Sequence, residues 1–186
     1  MHIPPKAHIH LIAICGTAMA SLAGMLKERG YYISGSDYYI YPPMSTFLEG
    51  LGIDVQEGFA ASQLDPPPDL VIVGNAVSRG NSEVEMTLNN KIPYLSLPEV
   101  LRDLFLRGKR PIVVTGTHGK TTTTAITAHL LNHAGLAPSF LVAGLRAISN
   151  APINWVEENF LSLKETSTTV HFSLKLPNFF IIYPKF

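Results

Sequence analysis

The segment VVTGTHGKTTTTA, residues 113–125, brings glycine, lysine and hydroxyl side chains together in the order used by phosphate-binding loops. Gly116 and Gly119 permit backbone conformations in which several N–H groups point towards one anion. The side chain of Lys120 can reach terminal phosphates, and the hydroxyl of Thr121 can bind Mg²⁺. The distal glycine of the strict G-x-x-x-x-G-K-[ST] pattern is absent, so the segment predicts a shortened loop.

The position of this segment favours a phosphate site over a simpler alternative. A glycine turn that caps a threonine-rich helix, with His118 in solvent, would also explain the residues. However, an apolar strand precedes the loop and an apolar helix follows it, which would direct the N-terminus of the helix at the anion. The candidate phosphate-binding residues are Gly116, Thr117, His118, Gly119, Lys120, Thr121 and Thr122.

A second glycine-containing turn lies near the N-terminus, in IAICGTAMASLAGML, residues 12–26. It follows a predicted strand but lacks the G-x-G-x-x-G fingerprint of dinucleotide sites, and Asp37 alone stands as an acidic partner for a ribose. An NAD(P)-dependent oxidoreductase therefore stays open as an alternative. We interpret Cys15, inside this turn, as a small core residue.

Short apolar runs alternate with segments of helical spacing, which predicts an α/β fold with a parallel sheet and helices on its faces. Strands are predicted at 8–15, 31–37, 53–58, 69–75, 92–96, 112–116 and 139–144, and helices at 16–30, 45–52, 82–90, 98–108 and 120–135. Ser82 is the expected N-cap of the helix at 82–90. The polar break GKRP places a domain boundary near Lys109, between a domain at 1–108 and the beginning of a second at 109–145.

The last 42 residues have a different composition. All 14 glycines lie at or before residue 144, and no aspartate follows Asp103. Average proteins contain about 7% glycine, so a glycine-free run of this length is unusual. We treat residues 146–186 as an atypical tail, with strand-like pieces but no turn residues to join them.

Composition and charge exclude some classes of partner. The formal net charge is zero, and no basic run or aromatic–basic interleaving supports binding to nucleic acid. The stretch from Ile9 to Leu26 is largely apolar, yet its glycine and hydroxyl residues fit a strand, loop and helix better than a membrane span. A single cysteine rules out an internal disulfide and is compatible with the cytoplasm. We therefore expect a cytoplasmic protein that acts without nucleic acid or membrane.

GTHGKTT, residues 116–122, resembles the ATP loop of the Mur ligases, the ATP-dependent amide-forming enzymes of peptidoglycan synthesis. That family uses this short form without the distal glycine. The resemblance implies that ATP and Mg²⁺ are required. It assigns Lys120 to the β- and γ-phosphates, as the catalytic residue, and Thr121 to Mg²⁺.

The N-terminal part resembles the same family. GSD, YPPMST and GNAVSRGNSEV, at 35–37, 41–46 and 74–84, are similar to its segments that line a UDP-sugar site in a Rossmann-like domain. The glycine loop then holds the pyrophosphate. The residues implied at the UDP-sugar site are Gly16, Thr17, Ala18, Met19, Ser36, Asp37, Asn75, Ala76 and Asn81. Asn75, Asn81 and Glu83 could equally be loop and capping residues.

Within the family, CGTAM followed by SGSD and YPPMST is most similar to the murein-recycling branch. The resemblance implies two substrates, UDP-N-acetylmuramate and a murein tripeptide, joined after ATP phosphorylates the lactyl carboxylate. The alternatives are a fragment of the branch that adds L-alanine and a non-catalytic nucleotide-binding module. The resemblance ends near residue 145, where the family continues with an acidic metal-binding stretch and a third domain. We therefore expect the tail to be out of frame or otherwise not native, and the chain to be inactive alone.

Overall fold

The computed structural model describes residues 3–108, 112–114, 117–134, 139–142, 145–147, 170–173 and 180–181 of the chain. The chain divides into two compact units, Met1–Asp103 and Leu104–Phe186. The division falls a few residues before the boundary expected near Lys109.

The first unit is an α/β fold, as predicted. Its strands are β1 (His8–Ile12), β2 (Tyr32–Asp37), β3 (Val55–Glu57), β4 (Leu70–Val73) and β5 (Tyr94–Ser96). Its helices are α1 (Thr17–Glu28), α2 (Met44–Gly50), α3 (Ser82–Asn89) and α4 (Leu97–Val100), with a 3-10 turn at Ala61–Leu64. The strands form one five-stranded sheet in the order β3-β2-β1-β4-β5, and every neighbouring pair is parallel.

The centre of this sheet is built from continuous apolar runs. Ile9, Leu11 and Ile12 of β1 are fully buried, and Leu70 and Ile72 of β4 are as well. Strands buried on both faces read as unbroken apolar segments, since helices cover each side of a parallel sheet. This burial fixes β1 in the middle of the sheet and therefore fixes the place of the loop that follows it.

Two local predictions differ in detail from the structure. The N-cap of α3 is Asn81 rather than Ser82, because the Asn81 carboxamide reaches the first N–H groups of the helix while the Ser82 hydroxyl donates to the carbonyl of Phe59. The helix predicted at 98–108 is present at 97–106, but it is not one α-helix throughout. A four-residue α4 gives way to a π-helix at Leu101–Leu106, a wider backbone form that side-chain spacing does not reveal.

The second unit contains α5 (Lys120–His133) and a four-stranded sheet. The strands are β6 (Ser139–Val142), β7 (Leu145–Ala147), β8 (Val170–Ser173) and β9 (Phe180–Ile181), in the order β7-β6-β8-β9, with antiparallel pairing throughout. Residues 112–114 are neither strand nor helix, so the strand predicted there is wrong over its described part. Both sides of β6 are already paired, with β7 and β8, which leaves no place beside it for a parallel neighbour. Apart from β7, β8 and β9, the tail at 146–186 lies outside the described residues.

Candidate nucleotide-sugar site and phosphate loop

The strand order of the first unit marks a place for a ligand. From β1 the chain passes to β2 and β3 on one side, then crosses to β4 on the other side of β1. Ligands of open α/β sheets bind beyond the carboxyl ends of the strands, where the order reverses in this way. Here that point lies between the β1–α1 loop, residues 13–16, and the segment 74–76 after β4.

The β1–α1 loop leads directly into the N-terminus of α1. Gly16 is the N-cap residue and has no side chain to cap the helix, and the first turn contains no acidic residue. Helix N-termini carry partial positive charge and present N–H groups to anions. The predicted residues Gly16, Thr17 and Ala18 are exposed or half-buried there, while Met19 points into the core. This end of α1 can therefore accept a pyrophosphate.

Two glycines let the loop approach its neighbouring strands. A Cβ atom on Gly35 would lie 2.7 Å from the Leu11 carbonyl oxygen and 2.6 Å from the side chain of Ile14. A Cβ atom on Gly74 would lie 2.9 Å from the carbonyl oxygen of Ile12. Larger residues at either position would push β1 away from its neighbours. Ala13, with a φ of 64°, takes the left-handed conformation that glycine usually supplies.

Asp37, at the end of β2, holds the β1–α1 loop. Its Oδ2 accepts a hydrogen bond from the backbone N–H of Cys15 at 2.9 Å, and its Oδ1 accepts from the N–H of Tyr39 at 3.2 Å. Burial, and then the charge of Asp37, raises the pKa of the Cys15 thiol to about 11. The thiol is therefore protonated at neutral pH, which fits the interpretation of Cys15 as a structural residue.

The environment of Ser36 differs from that expected of a ligand-binding residue, because Ser36 is buried. Its side chain is fully buried, and its hydroxyl donates to Oε2 of Glu83 at 2.5 Å. Glu83 is also fully buried, and its Oε1 lies 3.5 Å from Nε2 of His10. Glu83 thus caps no helix and faces no solvent. No local pattern could indicate this contact, since 47 residues separate the two partners.

Three further predicted residues lie near the same edge. Asn75 and Ala76 follow β4 after Gly74 and are exposed, so their side chains are accessible at the switch point. The Asn81 Oδ1 accepts from the N–H groups of Glu83 and Val84, at 3.0 and 3.2 Å. Asn81 therefore caps α3 through its side-chain oxygen, and its amide nitrogen is the group that could contact a ligand.

The phosphate loop is described from Thr117 onward. Gly119 has a φ of +73°, and α5 begins at the next residue. Lys120 Nζ donates to the carbonyl oxygen of Thr117 at 2.9 Å, so the lysine side chain folds back along the loop. Thr117, His118 and Thr122 are exposed. Among the predicted residues, Gly116 lies outside the described residues, as does the side chain of Thr121.

Within the described part of the chain, no group of three or more His, Cys, Asp or Glu residues is placed to hold a metal ion. Among the same residues, no helix is both long enough and apolar enough to cross a membrane.

The sequence of this chain is similar to those of known proteins. The family described as "Mur ligase family, catalytic domain" matches residues 8–109. The UDP-N-acetylmuramate–L-alanyl-γ-D-glutamyl-meso-2,6-diaminoheptandioate ligase of Escherichia coli K12 is 48% identical over 137 residues, which is 74% of this chain. A UDP-N-acetylmuramate–L-alanine ligase of an Anaeromyxobacter species is 41% identical over 138 residues.

A solved structure extends the likeness. The murein peptide ligase of Psychrobacter arcticus superposes with a TM-score of 0.74 and 36% identity, over 96% of this chain and 38% of that one. This chain spans only 30% of the length of either curated relative. The match over 8–109, more than half of the sequence, shows that the chain belongs to the Mur ligase family.

Proposed function

We propose that this chain carries the UDP-N-acetylmuramate site of an ATP-dependent ligase that joins this nucleotide to a murein tripeptide, L-alanyl-γ-D-glutamyl-meso-diaminopimelate. The observation that carries the proposal is the β1–α1 loop at the switch point of the sheet, held by Asp37 and followed by an N-terminus without a side-chain cap. The greater identity to the E. coli tripeptide ligase, 48% against 41% for the L-alanine ligase, favours the tripeptide as the second substrate.

The N-terminus of α1 would bind the pyrophosphate of the nucleotide sugar. The N–H groups of Thr17 and Ala18 lie in the first turn, where the helix dipole favours an anion. Asn75 and Ala76, exposed at the end of β4, would contact the rest of the ligand from the other side of the switch point. Asp37 and Ser36 would act from beneath, by fixing the loop.

The described part of the phosphate loop supports binding of an anion such as the phosphates of ATP. Gly119 already has the left-handed conformation that turns successive N–H groups towards an anion, and Lys120 lies over the loop. Lys120 would neutralise charge on the β- and γ-phosphates, and Thr121, in the first turn of α5, would help to bind Mg²⁺. The metal would screen the phosphate charge when bound.

The reaction would proceed through an acyl phosphate of the lactyl carboxylate, which the amine of the tripeptide attacks to form the amide. Negative charge grows on the transferred phosphoryl group, so the ammonium of Lys120 and the loop N–H groups must be in place beforehand. Since ATP drives the step, we place it in the cytoplasm. We expect the 186-residue chain alone to bind UDP-N-acetylmuramate without tripeptide-dependent release of ADP.

Calorimetry on the purified chain tests the nucleotide-sugar site. UDP-N-acetylmuramate should bind with saturable heat, while NADH, titrated by its fluorescence, should not bind. Binding of NADH with no response to the nucleotide sugar would replace the ligase proposal with the oxidoreductase alternative. Equal binding of any uridine nucleotide would favour a generic nucleotide-binding module.

A lysine substitution tests the phosphate loop separately. Lys120→Ala should weaken Mg-ATP binding by about tenfold or more, because a phosphate-bound ammonium contributes at least one charge-assisted hydrogen bond. Lys6→Ala removes the same charge from an exposed position of the first unit and serves as the control. An unchanged Mg-ATP affinity in Lys120→Ala would remove this residue from its assigned role.

The tail bears on whether the catalytic roles apply to this chain. We propose that residues 146–186 are an out-of-frame continuation, because glycine and aspartate are both missing from them. Sequencing the gene from codon 135 and translating all three frames tests this. A shifted frame with glycine, aspartate and an acidic stretch is expected, and confirmation of the present frame without such an alternative would refute it.

A further inference from the structure

A row of polar side chains, mostly buried, links β1, β2 and α3 behind the β1–α1 loop. Ser34 Oγ lies 2.7 Å from Nε2 of His8 and 2.8 Å from Nδ1 of His10. Nε2 of His10 faces Oε1 of Glu83 at 3.5 Å, and Oε2 of Glu83 accepts the hydroxyl of Ser36. His10, Ser36 and Glu83 are fully buried. Burying this many polar groups is costly unless each is paired, so the row needs an explanation.

The hydrogen bonds from His8 through Ser34 to His10 run in one direction, because each group has a limited number of hydrogens to donate. The Ser34 hydroxyl carries one hydrogen but contacts two imidazole nitrogens, so it can donate to only one of them and must accept from the other. Burial, and then the neighbouring His10, lowers the pKa of His8, which favours a neutral ring that donates from one nitrogen only. The tautomers of His8 and His10 are therefore coupled through Ser34.

Glu83 selects between the two directions. Its Oε1 and the Nε2 of His10 are buried 3.5 Å apart, and neither atom makes a hydrogen bond within the described residues, so each is the polar group that the other faces. A carboxylate can only accept, so with a neutral His10 ring this contact places the hydrogen on Nε2, and Nδ1 accepts from Ser34. His8 then donates from Nε2 to Ser34. In this arrangement the order of donation is His8, Ser34, His10, with Glu83 as the acceptor that His10 faces.

The carboxylate is connected to the nucleotide-sugar loop by two short steps. Ser36, which donates to Glu83, accepts the N–H of Ile14 at its own carbonyl oxygen, at 3.1 Å. The next residue, Asp37, accepts the N–H of Cys15. The end of β2 thus holds two consecutive N–H groups of the β1–α1 loop, and Glu83 anchors that end of β2.

We propose that Glu83 is a positioning residue for the nucleotide-sugar site, which it holds in shape through Ser36 while the His8–Ser34–His10 chain supplies its hydrogen bond. The proposal rests on the function proposed above for the β1–α1 loop. Glu83 lies too deep to contact the ligand, since it is fully buried. Its effect on affinity is transmitted through the backbone of β2.

Substitutions separate this role from simple packing. Glu83→Ala and Ser36→Ala should each weaken UDP-N-acetylmuramate binding by about tenfold or more, the usual worth of a charge-assisted hydrogen bond. Glu83→Gln should bind within about threefold of wild type, because the whole chain can reverse: the glutamine amide donates to His10, His10 donates to Ser34, and Ser34 donates to His8. Glu85→Gln, on the exposed side of α3, removes the same charge and should change nothing.

The tautomers give a readout that packing alone would not move. Long-range ¹H–¹⁵N NMR spectra of the unliganded 186-residue chain at pH 8 should show His10 protonated on Nε2 in wild type and on Nδ1 in Glu83→Gln. The amide resonance of Cys15 should shift in Glu83→Ala and Ser36→Ala but not in Glu85→Gln. If Glu83→Ala does not fold, the comparison of His10 tautomers in wild type and Glu83→Gln still tests whether Glu83 and His10 interact as proposed.

The outcomes are distinct from those of the function proposed above. If wild type fails to bind UDP-N-acetylmuramate but the tautomers reverse as described, the ligand assignment is wrong and the anchoring chain stands. Wild-type affinity in folded Glu83→Ala, or His10 protonated on Nδ1 in wild type, would overturn the positioning role. Loss of binding in Glu83→Gln without reversal of the tautomers would overturn it as well.

Discussion

Replacing Asp37 with asparagine would test how the β1–α1 loop is held. The two carboxylate oxygens accept from the N–H groups of Cys15 and Tyr39. An asparagine keeps one acceptor oxygen and turns an NH₂ group towards the other N–H, so one bond is lost and the other loses its charge. Hydrogen bonds to charged groups contribute about 1.5–3 kcal/mol and neutral ones about 1, so replacing two charged bonds with one neutral bond costs about 2–5 kcal/mol. The Tyr39 bond is long and exposed, so we expect the lower end, a loss of about 2 kcal/mol in the free energy of unfolding.

The Cys15 thiol provides a second, independent readout. With a pKa of about 11, about 0.3% of the thiol is ionised at pH 8.5, against about half for an unperturbed cysteine. Burial is the larger cause of this raised pKa and remains in Asp37→Asn, whereas the repulsion by the carboxylate disappears. The variant should therefore be alkylated several-fold faster than wild type at pH 8.5, yet remain slower than a free cysteine.

The raised pKa also has a consequence for stability. The folded state retains the thiol proton after the unfolded state has begun to lose it, so stability falls as pH rises from about 8.5 towards 11. In Asp37→Asn this fall should be smaller. Urea denaturation at several pH values and iodoacetamide alkylation of native protein measure the two effects. Asp54→Asn, an exposed site in the same unit, is the control. An unchanged rate of alkylation in Asp37→Asn would refute the contact between the carboxylate and the loop.

Three other variants probe the elements that shape the site. Gly35→Ala places a methyl group 2.7 Å from the Leu11 carbonyl oxygen in the middle of the sheet and should lower the unfolding free energy by about 3 kcal/mol, measured by urea denaturation. Asn81→Ala removes the N-cap of α3 and should cost about 1 kcal/mol by the same method. Hydrogen bonds from the backbone N–H and the hydroxyl of Ser96 lower the pKa of Glu99, so Ser96→Ala should raise it partway back in a ¹³C NMR titration. Because that pKa is lowered on folding, the stability it contributes is present above the ordinary carboxyl pKa and is lost as pH falls through the lowered value.

Matched variants make these results interpretable. Gly50→Ala, where an added Cβ meets nothing within 4 Å, should not destabilise the protein, since alanine is the better helix residue. Asn89→Ala, exposed at the end of α3, should stay within about 0.5 kcal/mol of wild type. A loss in Gly50→Ala as large as that in Gly35→Ala would contradict the steric explanation. A titration midpoint for Glu99 that does not move in Ser96→Ala would contradict the capping contact.

Local sequence signals account for most of the first unit. The unbroken apolar runs of β1 and β4 predicted buried parallel strands, and the glycine turn after β1 predicted the loop at the carboxyl edge. These features depend on residues close together in the chain, where spacing and turn chemistry act directly. The α/β fold and the Mur ligase family, both predicted from the sequence, were confirmed by the sheet and by the family match.

The contacts that hold the site depend instead on long-range geometry. The resemblance of GSD to a family segment that lines the UDP-sugar site assigns Ser36 to the ligand, yet its hydroxyl donates to Glu83. The parallel register of β1 and β2 sets Ile12 beside Ser36 and His10 beside Ser34, which aligns one face of both strands towards α3. A register is a property of the paired strands, so neither segment alone could reveal the row of polar groups.

The second unit shows what a local signal cannot guarantee. The helix predicted after the phosphate loop is present as α5, because its apolar spacing and the left-handed Gly119 are local features. The strand expected at 112–116 requires a partner, and its described residues have none in the sheet order β7-β6-β8-β9. β8, from the glycine-free tail, pairs with β6 in an antiparallel direction, whereas a strand–loop–helix–strand unit requires a parallel neighbour. In the described residues, β6 therefore has an antiparallel partner from the tail in place of the parallel neighbour that the predicted strand–loop–helix–strand unit requires.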